Sequence, residues 1–454
     1  MAGLLKFLLR LTGRAGTALP GKAALRLQPR LLSYLTAGRR VFLVTGTNGK
    51  TTTVRILCTL LAEQGFGVIT NPSGANLDSG LTTTLIDNRR LLRSDNRHET
   101  VLVFEIDEAF FAKLAGLLQP SVCVVTNFFR DQLDRYGELQ HTRDLISRGL
   151  DQTSAQIVLC ADDSLCASLA RGRESVSRYF GMDAAAMKPG SGNSVLESGF
   201  CTFCGSRYSY DAMAYGHLGL FQCNECGFTR PRPELMFSID AEGSADPQSQ
   251  LLNLTWQPGN SDPERAAARL AVPGIHNAYN AAGAVLAAIA CGSRFRDLAG
   301  SLAKASAAFG RMERFSVDDK DVCLILVKNP VGMDRALDYV SGAGDAGAHM
   351  LLLNANDPDG RDVSWIWDVD FESRLPAGRI GVSGVRRQDM ALRLIYAGKA
   401  KQDLLIMEDA MRLFDQCLAD CPAGKCLYIL PNYTCMLDLR AGLVKRYGLR
   451  DFWM

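Results

Sequence analysis

From residue 41 onward the chain keeps alternating short apolar runs with helical patterns. RVFLVTG, GVITNPS, TVLVFEID, SVCVVTNF and QIVLCADD follow one another, with helix-like segments between most of them. That alternation is the pattern of a mostly parallel sheet with helices on its faces. The rhythm breaks at residues 182–240, where Gly, Ser and Cys dominate, and resumes with LLNLTW and the Ala-rich helix HNAYNAAGAVLAAIA. After FGRMERF a second series begins: strands VCLILV, MLLLNAN, RIGVSG, DLLIM and CLYILPN, with helices RRQDMALRLIYAG and EDAMRLFDQCLA among them. Two α/β domains are expected, with a boundary near residue 315, and a chain of 454 residues that is 47% hydrophobic can bury both cores.

The first strand ends in an unusual turn. In VFLVTGTNGKTTTVRIL, Gly46 and Gly49 enclose only Thr47 and Asn48 before Lys50, Thr51 and Thr52, whereas a standard phosphate loop has four residues between its glycines. The physics survives the shortening. Turn amides can face an anion, and the following helix adds its positive N-terminal end. Lys50 is then placed for the β- and γ-phosphates of a nucleotide, and Thr51 for a hydroxyl on Mg²⁺. On this reading Lys50 faces phosphate and supports no core. An ordinary glycine turn is the alternative, but strand, GKTT and helix coincide here.

Residues 201–226 carry a second pattern: a Cys-x-x-Cys pair, eighteen intervening residues and another Cys-x-x-Cys pair. Cys201, Cys204, Cys223 and Cys226 thus offer two thiolates from each of two tight knuckles, the donor set of a closed tetrahedral Zn²⁺ site at close to zinc-ribbon spacing. The ribbon either staples an insertion or meets a partner, and the staple is favoured because YDAMAYGHLGLF is largely uncharged. His217 reads as a surface or packing residue rather than a fifth ligand. Other cysteines, such as Cys58, Cys123 and Cys291, lie singly in apolar surroundings, which fits a reducing cytoplasm. A formal net charge of +2 argues against a nucleic-acid binder. The charge is uneven, however: residues 1–40 hold eight Lys or Arg and no Asp or Glu. This leader reads as a docked helical extension, as a surface for anionic lipid or substrate, or as a transit segment. No apolar run approaches the roughly 18 residues needed to cross a bilayer.

The compressed TGTNGKTT resembles the ATP loop of the Mur ligase superfamily, and three more segments match that family in order. EIDEA contains Glu108, resembling the family's Mg²⁺-associated acidic position. GIHNAYNAAGA resembles its adenine-contacting helix, with Asn277 and Asn280, and FGRMERF resembles its segment near the phosphates, with Arg311. The resemblance implies transfer of the γ-phosphoryl of ATP to a carboxylate and displacement of phosphate from the acyl phosphate by an amine. Lys50, Thr51 and Glu108 would carry the positioning and the charge neutralisation. The implied architecture is an extension over 1–40, a Mur-ligase-like ATP-binding domain over 41–315 with a zinc-ribbon insertion at about 198–232, and a Rossmann-like α/β domain over 316–454. TNFFRDQLDRYGE departs from the family pattern: Gln132 stands where a metal-binding His is usual, leaving the second metal site open.

The loop begins too early in the chain for the UDP-binding domain of ligases that handle UDP-linked precursors. NDPDGRDVSWIWDVDFE, ILPNYTCMLDLR and GTALPGKAALRL resemble instead the MurT family, the synthetase subunits of lipid II isoglutaminyl synthases, over nearly the whole chain. That resemblance implies amidation of the α-carboxylate of D-glutamate in the lipid II stem peptide to D-isoglutamine. Ammonia would come from a GatD-like glutaminase in a heterodimer. A cytoplasmic enzyme at the inner membrane face agrees with the acid-free leader, and with five His and no Cys in a nucleophile motif beside a His/acid pair, a separate glutaminase is the simpler supply of ammonia. The family resemblance further implies that an aspartate of NDPDGRDVSWIWD orients the histidine of the partner's Cys/His pair. Asp362 is the first candidate and Asp359 the second, since a one-turn loop lets either face outward. The plainer reading makes Asp357, Asp359, Asp362 and Asp368 turn formers and helix caps. A stand-alone folylpolyglutamate-like amino-acid ligase is the alternative function.

Overall fold

The computed structural model describes residues 18–71, 75–92, 99–129, 139–189, 198–240, 249–305, 312–342 and 347–448. They fall into two compact units, one reaching residue 305 and the other beginning at residue 312. Gln132, Arg311 and the first seventeen residues of the leader lie outside the described residues.

In the first unit the chain forms β1 (Arg40–Thr45), β2 (Gly67–Thr70), β3 (Thr100–Glu105), β4 (Val122–Val125), β5 (Gln156–Cys160) and β6 (Ser177–Met182). It then leaves the main sheet for a small one of β7 (Lys188–Pro189), β8 (Ser209–Tyr215) and β9 (Leu218–Gln222). It returns through β10 (Leu235–Asp240), β11 (Gln250–Trp256) and β12 (Glu264–Leu270). The main sheet runs β12-β11-β10-β6-β5-β4-β1-β3-β2. Its neighbours are parallel from β2 to β10 and antiparallel along the β10-β11-β12 edge. β3 and β4 are buried at every position, as strands covered on both faces must be, and this is why they read as continuous apolar runs. β12 instead alternates exposed and buried residues, so its ERAAARL lacks that signature. The helix Ile275–Ala290 packs on β4, β5, β6 and β10 and on the helix Lys50–Glu63. Its run of alanines leaves room for that close approach, and it is buried from Asn277 to Ile289.

The described part of the leader is a docked helical extension. Helices Leu19–Leu27 and Leu31–Thr36 lie on the first unit, where the Gly21 amide donates to Thr83 Oγ1 (2.9 Å) and Ser33 Oγ to the Leu117 carbonyl (3.0 Å).

The second unit holds β13 (Met312–Val317), β14 (Lys320–Ile325), β15 (Ala348–Leu352), β16 (Ile380–Ser383), β17 (Leu404–Ile406) and β18 (Cys426–Pro431), ordered β13-β14-β18-β15-β16-β17. β13 and β14 pair antiparallel and the other neighbours are parallel. Successive side chains point to opposite faces of a strand. In β15, Leu351 accordingly joins a core with Leu337, Phe371 and Met390, while Met350 and Leu352 join another with Phe414, Met436 and Leu439. Each such buried side chain stabilises the unit by about 1.5–3 kcal/mol.

Candidate functional site

β1 lies between β3 and β4, and the turns that follow all three strands meet at the carboxyl edge of the sheet, where α/β proteins place their ligands. The glycine-containing turn after β1 is shaped by its neighbours. Gly46 has φ 117° and Gly49 φ 83°. A side chain on Gly46 would stand 2.4 Å from Thr126 Oγ1, and one on Gly49 would stand 2.0 Å from Asn280 Oδ1. Both positions therefore need glycine for conformation and for space. The residues after β4 brace the turn. Thr47 N–H donates to the Asn127 carbonyl (2.9 Å) and Asn48 N–H to Asn127 Oδ1 (2.9 Å). Thr126 Oγ1 (2.7 Å) and Asn127 Nδ2 (3.1 Å) donate back to the Asn48 carbonyl. The helix Lys50–Glu63 makes its first internal bond from Thr53 N–H to the Gly49 carbonyl (2.8 Å), so the amides of Gly49, Lys50, Thr51 and Thr52 form its open first turn. That turn and its dipole suit an anion.

Lys50 is 6% exposed. Its Nζ donates to the Gly46 carbonyl (2.8 Å) and to Glu108 Oε1 (2.9 Å), with Asp107 Oδ1 at 3.9 Å. Burial alone would lower the pKa of this ammonium, but the carboxylates of Glu108, Asp107 and Glu105 outweigh it and hold the pKa well above the ordinary lysine value. The expectation that Lys50 supports nothing in the interior is therefore corrected: without it, buried acids lose their counter-charge. Glu108 opens the helix Glu108–Leu118, whose N-terminal end favours a carboxylate. Thr51 is half-buried and Thr52 buried in the first turn of the helix Lys50–Glu63. Asn280 lies against Gly49, and its Nδ2 donates to Asn277 Oδ1 at 3.4 Å, while Asn277 Nδ2 donates to the Pro273 carbonyl at 2.7 Å. The loop residues, Glu108 and Asn280 thus come together, with Asn277 one turn away.

The four cysteines also converge, their Sγ atoms all within 4.8 Å of one another. Thiolates around a tetrahedral Zn²⁺ at about 2.3 Å lie roughly 3.8 Å apart, so donor set and spacing suit that ion. Gly205 and Gly227, both at φ 76°, close the two knuckles with N–H bonds to the Cys201 (2.8 Å) and Cys223 (3.0 Å) carbonyls. The amide and hydroxyl of Ser206 hold the Cys204 thiol at about 6, below the ordinary thiol value. The small sheet that bears the cluster starts at Lys188, earlier than the expected edge of the insertion. His217 proves to be a buried packing residue, its ring 4.7 Å from that of Phe129 and its Nε2 3.6 Å from Asp163 Oδ2.

In the second unit the acids of NDPDGRDVSWIWD divide. Asp359 is buried and turned inward: it accepts from Thr434 N–H (2.8 Å), Thr434 Oγ1 and Asn356 N–H (3.3 Å). Asp362 is exposed and accepts only local bonds among those resolved, from Ser364 N–H (2.8 Å) and Ser364 Oγ (2.9 Å). The loop does not let either face outward. Only Asp362 does.

Sequence reasoning missed Asp107, Thr126, Asn127, Asp162 and Asp163. The available signal was QIVLCADD, a core strand ending in two adjacent acids. Asp162 accepts from Arg230 Nε (2.6 Å), Met182 N–H (2.8 Å) and the Tyr279 hydroxyl. Asp163 accepts from Phe128 N–H (2.6 Å), Leu165 N–H (2.9 Å) and Cys166 N–H (3.2 Å).

Comparison with known proteins gives a consistent result. The family described as Mur ligase middle domain matches residues 44–207, and that described as MurT ligase C-terminal matches residues 326–436. The chain is 33% identical over 449 residues to the lipid II isoglutaminyl synthase (glutamine-hydrolyzing) subunit MurT of Streptococcus pneumoniae, covering 98% of this chain and 96% of that protein. It is 31% identical over 391 residues to the subunit of the same name from Staphylococcus aureus strain COL, covering 86% and 84%. Among solved structures, a pseudomurein peptide ligase type C from Methanothermus fervidus superposes with a TM-score of 0.65 at 21% identity, over 90% of this chain and 79% of that one.

Proposed function

We propose, from the premise that this chain belongs to the MurT family within the Mur ligases, that it is the ATP-dependent synthetase subunit of a lipid II isoglutaminyl synthase. It forms a C–N bond, converting the α-carboxylate of D-glutamate in the lipid II stem peptide to the carboxamide of D-isoglutamine. The observation that carries this reading is the buried Lys50 ammonium, held between the Gly46 carbonyl and Glu108 at the edge of β1 and β3. A carboxylate is a poor acyl donor. Its oxygen attacks the γ-phosphorus of ATP, ADP leaves, ammonia attacks the acyl phosphate, and phosphate departs as the nitrogen loses a proton. Lys50 and the open helix turn oppose the negative charge on the phosphates. Asn277 and Asn280 serve the adenine side, and Arg311 adds charge near the phosphates. Glu108 and Thr51 offer the hard oxygen donors that Mg²⁺ takes, and the bound ion would neutralise phosphate charge. Cys201, Cys204, Cys223 and Cys226 hold a structural Zn²⁺.

The nitrogen source is a GatD-like glutaminase bound as a heterodimer, with exposed Asp362 orienting its histidine. Among the described residues no helix is long and apolar enough to cross a membrane. The acid-free leader supplies attraction to the anionic inner leaflet, which places a cytoplasmic enzyme beside its lipid-linked substrate. Co-purification with a candidate glutaminase, followed by mass analysis of the stem peptide after ATP and glutamine, tests the reading. One carboxyl turned to carboxamide is the expected product. Turnover by this chain alone, adding an amino acid, would replace it with the stand-alone ligase.

A further inference from the structure

The turn between β8 and β9 reaches out of the cysteine-bearing sheet and packs against Phe129, beside the residues that brace the phosphate loop. Tyr215 stacks on Phe129, with centroids 5.6 Å apart and planes 16° apart, and His217 tilts against the same ring. Between them Gly216, at φ 57°, comes so close that a side chain there would stand 2.8 Å from Phe129 Cε1. Phe129 is one step from the loop, because its N–H donates to Thr47 Oγ1 (3.2 Å). His217 also stands 3.6 Å from Asp163, whose carboxylate fixes the Phe128 amide, so the backbone that braces Thr47 and Asn48 is gripped from both sides.

A second route reaches the other end of the loop. Gly219 N–H donates to the Asp162 carbonyl (2.9 Å), and the Asp162 carboxylate accepts from Tyr279, against whose ring Tyr215 packs edge-on at 5.4 Å. The next residue, Asn280, is the one that meets Gly49. An insertion held only for its own stability has no need to press on the residues that brace both ends of a nucleotide loop.

We infer that the turn Tyr215-Gly216-His217 positions the phosphate loop, so that the cysteine-bearing insertion sets the affinity for ATP. The inference rests on the reading of residues 46–52 as an ATP loop and deepens it. These are positioning residues, acting through Phe129, Asp163 and Tyr279. Coupling of this kind is reciprocal: if the turn favours bound ATP, bound ATP steadies the turn.

The test compares the full chain with Gly216→Ala, His217→Ala and His217→Gln, and with Phe200→Ala as a control at an exposed position of the same insertion. Direct ATP binding, KM and kcat, metal content of the cysteine cluster, and amide exchange across residues 215–218 are measured well below each melting point. Gly216→Ala and His217→Ala raise the ATP Kd and KM by about tenfold, with kcat and metal content little changed. His217→Gln, which returns a nitrogen toward Asp163, recovers most of the affinity. ATP slows exchange across the turn in the wild type and less so in the variants. If His217→Ala does not fold, Gly216→Ala and His217→Gln carry the test. Unaltered ATP affinity in the folded variants, or a fall in kcat with KM unmoved, overturns the inference. A wild-type chain that binds ATP but amidates nothing sinks the substrate reading and leaves this inference standing.

Discussion

Lys50 serves two masters, the phosphate it is placed to meet and the acids it already neutralises. Replacing it with Met keeps the volume and removes the charge. Amidation should fall on the order of a hundredfold or more, since one charge at a transferring phosphoryl group is worth several kcal/mol. Leaving Glu108 and Asp107 without their cation should also cost about 3 kcal/mol of stability. Rate and thermal unfolding check the two effects separately, and near-normal turnover would remove Lys50 from the mechanism. The folded pKa of Lys50 is raised, so its stabilising contribution is present through neutral pH and is lost only as pH climbs past the ordinary lysine range. Asp362 makes a different kind of prediction. Asp362→Asn should suppress glutamine-driven amidation on the order of a hundredfold, because a triad carboxylate fixes the imidazole tautomer. ATP binding should be spared and free ammonia should restore the product. Equal loss with both nitrogen sources would place the defect in the synthetase or its fold.

The knuckles of the cysteine insertion act at the scale of an element. Cys204→Ser or Cys223→Ser should lower zinc content and the melting temperature together, because metal binding and folding of a small module are one equilibrium. Full metal retention after either change would contradict a four-thiolate site. Cys223 sits in a cluster with Tyr208 and Phe221, so its loss should cost more than that of exposed Cys204. Elements also differ in how plainly the sequence announces them. β1, β3, β4, β15 and β18 were legible as apolar runs because both of their faces are covered. β12 was not, since one of its faces meets solvent and its residues are mostly alanine and arginine. The Ala-rich helix Ile275–Ala290 was legible by composition, yet nothing in that composition says it lies against the phosphate loop.

Across the whole molecule, what could be read was what is contiguous. Gly46 to Thr52 form one stretch, and the two Cys-x-x-Cys pairs carry their geometry in their spacing. The braces could not be read, because sheet order, not sequence, brings them in: Asn127 is 79 residues from Asn48, and Tyr279 is 117 from Asp162. That Asp359 turns inward could not be read for the same reason, since only the fold brings Thr434 to it, 75 residues away. The position of β1 between β3 and β4 has a consequence for how the protein is made. The strand that carries the loop leaves the ribosome first among the sheet's strands, but its walls arrive later and Asn280, which lies against Gly49, later still. A nascent chain therefore holds an unfinished loop for about half of its synthesis. On the proposed reading, nucleotide finds the complete loop only once the helix Ile275–Ala290 is in place, and so steadies the finished unit more than its early folding.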